Sequence, residues 1–277
     1  MQQQLVLNLL RLRRSAEDSA GAYSDAKPFP HAILDSVFED RFLAAAADRF
    51  PGPEDIAWYE YNNPFEQKLA TNRIEDIPPE ILQVMGALNC RDFVAALEVL
   101  TGIPGLMPDP EYIGGGLHMI TPGGKLDVHA DFNYHPITNL HRRVNVILFL
   151  NRDWRPEYGG CLEFWDAGLS GPAQRILPQF NRLVIFSVND LAYHGSPERL
   201  NCPAHVTRKS VATYYYTRSR PENEQSPAHS TLYKRRPTDP YDPAVERLRE
   251  QRAVKRLADA QKQIGATREA SPYRRNE

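Results

Sequence analysis

Cysteine is scarce: three residues in 277, at positions 90, 161 and 202, odd in number and without C-x-x-C spacing. A disulfide framework is therefore not expected, and the thiols suit a reducing cytosol. No run of eighteen apolar residues occurs, so no transmembrane helix is expected. Charge of one sign is lacking too. Lys and Arg total 33 against 35 Asp and Glu, a formal net charge of -2, which gives no global bias toward nucleic acid or anionic membrane. The apolar stretch 5–10 is short, and its basic cluster Arg11, Arg13, Arg14 follows rather than precedes it, the reverse of an export signal. No internal repeat stands out. The expectation is a cytoplasmic protein whose 42% hydrophobic content suffices for one large core.

What is present is a sparse set of chemistry-bearing residues inside apolar strands. His129 and Asp131 lie two apart in 123–132, and side chains on a strand alternate faces, so both point one way and can grip one ion. The β-branched run 181–188 reads as a buried strand, with His194 in the turn 193–197 after it. Two imidazoles and one carboxylate on one face leave the opposite positions of an octahedral metal open, as in non-haem Fe(II) oxygenases. Zinc is the chemical alternative. Arg208 argues against it: the residue opens the strand 208–216, fourteen after His194, and Ser210 shares its face. A planar guanidinium beside a hydroxyl holds a carboxylate bidentately, so the set points to 2-oxoglutarate bound next to Fe(II).

The HxD pair, the distal His194, Arg208-x-Ser210, and the segments 140–151 and 158–166 resemble the Fe(II)/2-oxoglutarate-dependent dioxygenases, and within them the prolyl 4-hydroxylase-like group. The resemblance covers roughly residues 28 to 217. It implies Fe(II), 2-oxoglutarate and O2 as cofactors, with ascorbate a candidate accessory. It also implies hydroxylation of an unactivated C–H bond with release of succinate and CO2. Asn145 aligns with a cosubstrate-contacting polar residue of the group. Ile120 stands where those enzymes tend to carry a cosubstrate-holding tyrosine, and His118, on the same strand face, is the candidate replacement. Arg208 replaces the lysine common in prolyl hydroxylases, so proline is not implied as the substrate. Related halogenases keep the Asp131 position small, and a carboxylate there argues for hydroxylation. The resemblance implies an amino-acid side chain as substrate, proline among the candidates, whether peptidyl, free or carrier-bound, with other small metabolites as the alternative. The rivals are a non-catalytic ligand-binding or sensor jelly roll and a cupin-type metal enzyme that does not use 2-oxoglutarate.

Organisation follows from punctuation. Residues 1–27 read as a helical or partly disordered leader, 28–217 as the catalytic domain, and 218–277 as a polar linker with a charged helix from 244 to about 264 and a frayed end. Helices are expected through 42–50, 79–85 and 93–100. Short strands near 112–120, 126–131, 143–150, 161–165, 182–188 and 208–217 have the rhythm of a jelly roll, a double-stranded β-helix, with the early helices over one outer face. Asn133, Tyr134 and Trp165 are candidates for the substrate mouth. His135, His141 and His205 read as surface or turn residues, and Arg142 and Arg143 as a solvated start to their strand, with binding of a substrate carboxylate as the alternative.

Overall fold

The computed structural model describes residues 6–254; the expected frayed end and the later part of the charged helix lie outside them. In chain order the elements are α1 (Leu9–Asp25), β1 (His31–Asp35), α2 (Asp40–Asp48), β2 (Tyr59–Asn63), β3 (Glu66–Thr71), α3 (Pro79–Leu88), α4 (Arg91–Thr101) and β4 (Met107–Pro108). Then come β5 (Gly116–Ile120), β6 (Lys125–Ala130), β7 (His141–Phe149), β8 (Leu162–Trp165), β9 (Pro172–Ile176), β10 (Arg182–Ser187), β11 (Tyr193–Ser196), β12 (Arg208–Thr217), β13 (Leu232–Tyr233) and α5 (Pro243–Val254). No helix among the described residues is long and apolar enough to cross a membrane.

All strand pairs are antiparallel and run β1-β10-β7-β12-β5-β3-β6-β11-β8-β9, with β2 on β3, β4 on β12 and β13 on β6. The curled sheet is the expected double-stranded β-helix. Strand alternation creates its two faces. On β7, Val144, Val146 and Leu148 face outward into the core shared with Ile81 of α3 and with Phe93 and Leu97 of α4; Asn145 and Ile147 face the cavity within. On β12, Val211 and Tyr215 join the same outer core, and Tyr215 Oη donates to the α3 carbonyl of Leu88 at 2.6 Å. Each fully buried Leu or Phe in this layer contributes about 1.5–3 kcal/mol relative to exposure.

Several elements differ from the sequence expectation. Strands do not simply follow helices: β1 pairs with β10, and the hairpin β2–β3 precedes α3. Residues 59–71 are polar and partly exposed, so they lack the apolar alternation that marks a strand. β5 begins only at Gly116, whose φ of +86° and close approach to the Thr71 carbonyl suit glycine alone. His194 sits on the short strand β11 rather than in a turn. The segment after 217, expected as a linker, lies against the barrel. Asn133 Nδ2 donates to Ser226 Oγ and the Pro227 carbonyl at 2.9 Å each, its Oδ1 accepts from the His229 amide, and β13 extends the sheet beside β6.

Candidate metal centre and cosubstrate pocket

β6 and β11 are neighbours in the sheet, and His129 and His194 face each other across them in register. Asp131 follows directly after β6. One ligating atom from each of the three lies within 4.8 Å of the others, the only such His/Cys/Asp/Glu cluster among the described residues. His129 Nε2 is 3.6 Å from Asp131 Oδ1, and His194 Nε2 is 3.3 Å from Asp131 Oδ2. Adjacent ligands held about 2.1 Å from an octahedral ion stand about 3 Å apart, so the spacing fits a transition metal.

Hydrogen bonding settles the tautomers. His129 Nδ1 lies 2.8 Å from the Asp127 carbonyl, and His194 Nδ1 lies 2.9 Å from the Ala192 carbonyl. A carbonyl only accepts, so both Nδ1 atoms carry the proton and both Nε2 lone pairs turn inward. Burial, then the neighbouring His129, lowers the pKa of His194, which favours the neutral, ligating form. For Asp131, burial alone would raise the pKa; Arg142 and the two histidines outweigh it and hold the carboxyl well below its ordinary range.

Asp131 has a support that sequence reading missed. Arg142 is 1% exposed, the reverse of a solvated strand start. Its guanidinium is held 4.2 Å from the Phe132 ring and 3.4 Å from the Tyr214 ring; Nη2 donates to Asp131 Oδ2 at 3.1 Å and Nε to Asn145 Oδ1 at 2.9 Å. Asn145 Nδ2 donates to the same Oδ2 at 2.6 Å. Expected beside the cosubstrate, Asn145 therefore has the metal-site carboxylate as its partner. Oδ2, the oxygen nearer His194, is tied down, and Oδ1 is left toward His129. Regular alternation would put Arg142 on the outer face with Val144; the register shift opposite Tyr215 and Tyr216 breaks that alternation, and Arg142 lines the cavity with Asn145.

A cavity of about 820 Å³ opens from the three residues, lined also by His118, Ile120, Asn145, Arg208 and Ser210. Ser210 pairs with His118, and Arg208 with Ile120, across β12 and β5. Arg208 is 7% exposed; its Nε donates to the Gly160 carbonyl at 2.7 Å and its guanidinium stacks 4.8 Å from the Phe149 ring. No carboxylate among the described residues pairs with it. Burial depresses its pKa to about 10, with Cys161 opposing, so it stays charged at neutral pH. A buried cation without an anion is costly unless a ligand supplies one. His118 presents a buried Nε2 with no hydrogen-bond partner, and burial, then Lys68, pushes its pKa down to about 3.

Other expected residues lie elsewhere. The cavity wall does not include Asn133, Tyr134 or Trp165; Asn133 anchors the segment after β12, and Trp165 Nε1 donates to Glu163. His205 is exposed as expected, but His135 is buried, 3.6 Å from Asp109, with Nδ1 accepting from the amides of Ile137 and Thr138. Arg143 is buried against Thr217 and Glu224.

Comparison with known proteins bears on the same region. The sequence profile of the 2OG-Fe(II) oxygenase superfamily matches residues 115–216, which span β5 to nearly the end of β12 and include His129, Asp131, His194 and Arg208. No curated protein matches the sequence significantly. Solved structures share the fold. A prolyl-4-hydroxylase of Pseudomonas putida is 15% identical, covers 75% of this chain and 100% of its own, and superposes with a TM-score of 0.52. A prolyl 4-hydroxylase of Phytophthora capsici is 16% identical over 81% of this chain and 71% of its own, with a TM-score of 0.54. A Trichoplax adhaerens prolyl hydroxylase, solved with a hypoxia inducible factor peptide fragment, is 14% identical over 77% and 94%, with a TM-score of 0.53. At such identities the likeness concerns the fold alone. Residues 115–216 thus match the 2OG-Fe(II) oxygenase superfamily, and the His-Asp-His cluster lies within the matched stretch.

Proposed function

We propose that the protein hydroxylates an unactivated C–H bond of an amino-acid side chain, peptidyl, free or carrier-bound, releasing succinate and CO2. His129, Asp131 and His194 hold the iron, and Arg208, with Ser210 and His118, receives 2-oxoglutarate. The bound iron and 2-oxo acid supply the oxidising chemistry. The chain supplies position. Arg208 would hold the distal carboxylate of 2-oxoglutarate in the cavity it shares with His129, Asp131 and His194. Ser210 Oγ sets the angle of that carboxylate. His118, neutral because buried, offers Nε2 as a hydrogen-bond partner where the related enzymes tend to carry a tyrosine. Arg142 and Asn145 keep Asp131 ionised and aimed.

The single observation that carries this reading is Arg208, buried, charged and without an acidic partner among the described residues, on the wall of the cavity that holds the three ligands. A cupin-type enzyme that does not use 2-oxoglutarate has no need of that cation. The test is anaerobic. Fe(II) followed by 2-oxoglutarate should give the visible charge-transfer band of a chelated 2-oxo acid in wild type and none in His129→Ala. Its absence from folded, iron-loaded wild type would overturn the reading.

A further inference from the structure

The wall of the cavity carries a second set of charges that the cofactor assignment does not use. β3 lies between β5, which carries His118, and β6, which carries His129. Glu66 and Lys68, two apart on β3, both face the cavity. Arg252, from α5 at the far end of the described chain, reaches the same point. The side chains of Glu66 and Lys68 are 6% and 12% exposed, and that of Arg252 is 30% exposed.

Two cations share one carboxylate here. Lys68 Nζ is 3.5 Å and Arg252 Nη1 is 3.4 Å from Glu66, both longer than the 2.7–2.9 Å of a tight charge-assisted bond. Glu66 Oε1 also accepts from Asn63 Nδ2 at 3.4 Å, so one acid serves several donors loosely. Neither cation has an ion pair with Glu60, an exposed acid also on the cavity wall. Lys68 has three donors and one ion-pair partner; its nitrogen otherwise lies 4.8 Å over the Tyr61 ring. Deeper in, Arg142 answers Asp131 and Arg208 awaits the cosubstrate. With exposed Glu60 set aside, Lys68 and Arg252 against the single buried carboxylate of Glu66 leave one positive charge over, partly sheltered from water. It matches a monoanion better than a phosphate monoester, which carries about −1.5 to −2 charges at neutral pH.

We propose that Lys68 and Arg252 bind a carboxylate of the substrate, so that the molecule hydroxylated is a free amino acid rather than an internal residue of a peptide. This rests on the function proposed above and narrows its substrate class. Recognition of that carboxylate holds the rest of the molecule over the open side of the His129, Asp131 and His194 cluster.

The test presents the twenty free L-amino acids one at a time to the Fe(II)- and 2-oxoglutarate-loaded protein, by anaerobic calorimetry and by oxygen-dependent succinate release. Each binder is then repeated as its carboxamide and as the central residue of an N-acetylated, amidated tripeptide. The expected result is a free acid that binds at least about tenfold more tightly than its amide. Lys68→Met removes that preference but leaves the 2-oxoglutarate affinity and the charge-transfer band unchanged, and Lys68→Arg keeps it. Equal binding of acid and amide, binding of no amino acid, or a Lys68→Met variant that weakens 2-oxoglutarate instead would overturn the subsite. Loss of the band in wild type would overturn the cofactor reading with it; a normal band without acid preference overturns the subsite alone.

Discussion

Arg142 and Arg208 are both buried arginines, and their surroundings assign them different work. Arg142 already has its anion. Replacing it by Met leaves Asp131 buried with only Asn145 and the histidines beside it, which is expected to cost about 3–5 kcal/mol of stability in the metal-free protein, read by urea unfolding. The same change is expected to weaken Fe(II) binding roughly 10–100-fold, because the group that orients a ligand is lost. Arg208 lacks its anion, so Arg208→Ala is expected to behave in the opposite sense. Removing a buried cation that has no acidic partner should leave unfolding close to wild type, while the 2-oxoglutarate KM rises roughly 10–100-fold as charge-assisted hydrogen bonds disappear. An Arg208→Ala protein with an unchanged KM would place the cosubstrate elsewhere. The sequence made Arg208 legible through its place after His194. It could not reveal Arg142, whose role depends on two rings, Phe132 from the loop after β6 and Tyr214 from β12, closing over it.

At the level of elements, the metal cluster depends on how closely β11 approaches β6. Gly195, next to His194, would place a Cβ 2.8 Å from the carbonyl oxygens of both Asp127 and Leu126. Gly195→Ala is therefore expected to push β11 away and separate the two imidazoles, with iron affinity falling more than thermal stability; equal Fe(II) titrations for variant and wild type would refute this. A second element, the turn before β5, is built on Asp109. Burial alone would raise its pKa, but the His135 ring and the amides of Glu111 and Ile113 outweigh it and the pKa is lowered. A lowered folded-state pKa contributes stability above the ordinary Asp range, lost as pH falls through it. Wild type should thus lose stability between about pH 5 and 3 more steeply than Asp109→Asn, measured by urea unfolding at each pH. The apolar strands β5, β6, β7, β8, β10 and β12 were legible because their alternation is strong. β2, β3 and β9 were not, since half-exposed strands carry no such pattern, and β11, four residues long, reads locally as a turn.

Across the whole molecule, the segment after β12 closes one side of the cavity instead of trailing from it. His229 Nε2 lies 2.9 Å from Asp190, β13 pairs with β6, and Tyr233 stacks on Phe65 with ring centroids 4.7 Å apart. A chain ending at Thr217 is expected to lose the Tyr233 and Arg252 side of the cavity wall and to fall in Tm, read by calorimetry against the full chain. Polar composition alone suggested a linker there, because anchors such as the Asn133 amide to Ser226 join residues 93 apart and leave no local trace.

The residues assigned to the chemistry, His118 to Arg208, all lie within the stretch 115–216, while Glu66 and Lys68 come before it and Arg252 after it. On the proposed assignments, reaction and choice of substrate are written in separate parts of the gene. Exchange of the hairpin β2–β3 and the segment from β13 to α5 would be a natural unit of divergence, by which descendants of this chain acquire new substrates while inheriting the oxidising centre whole.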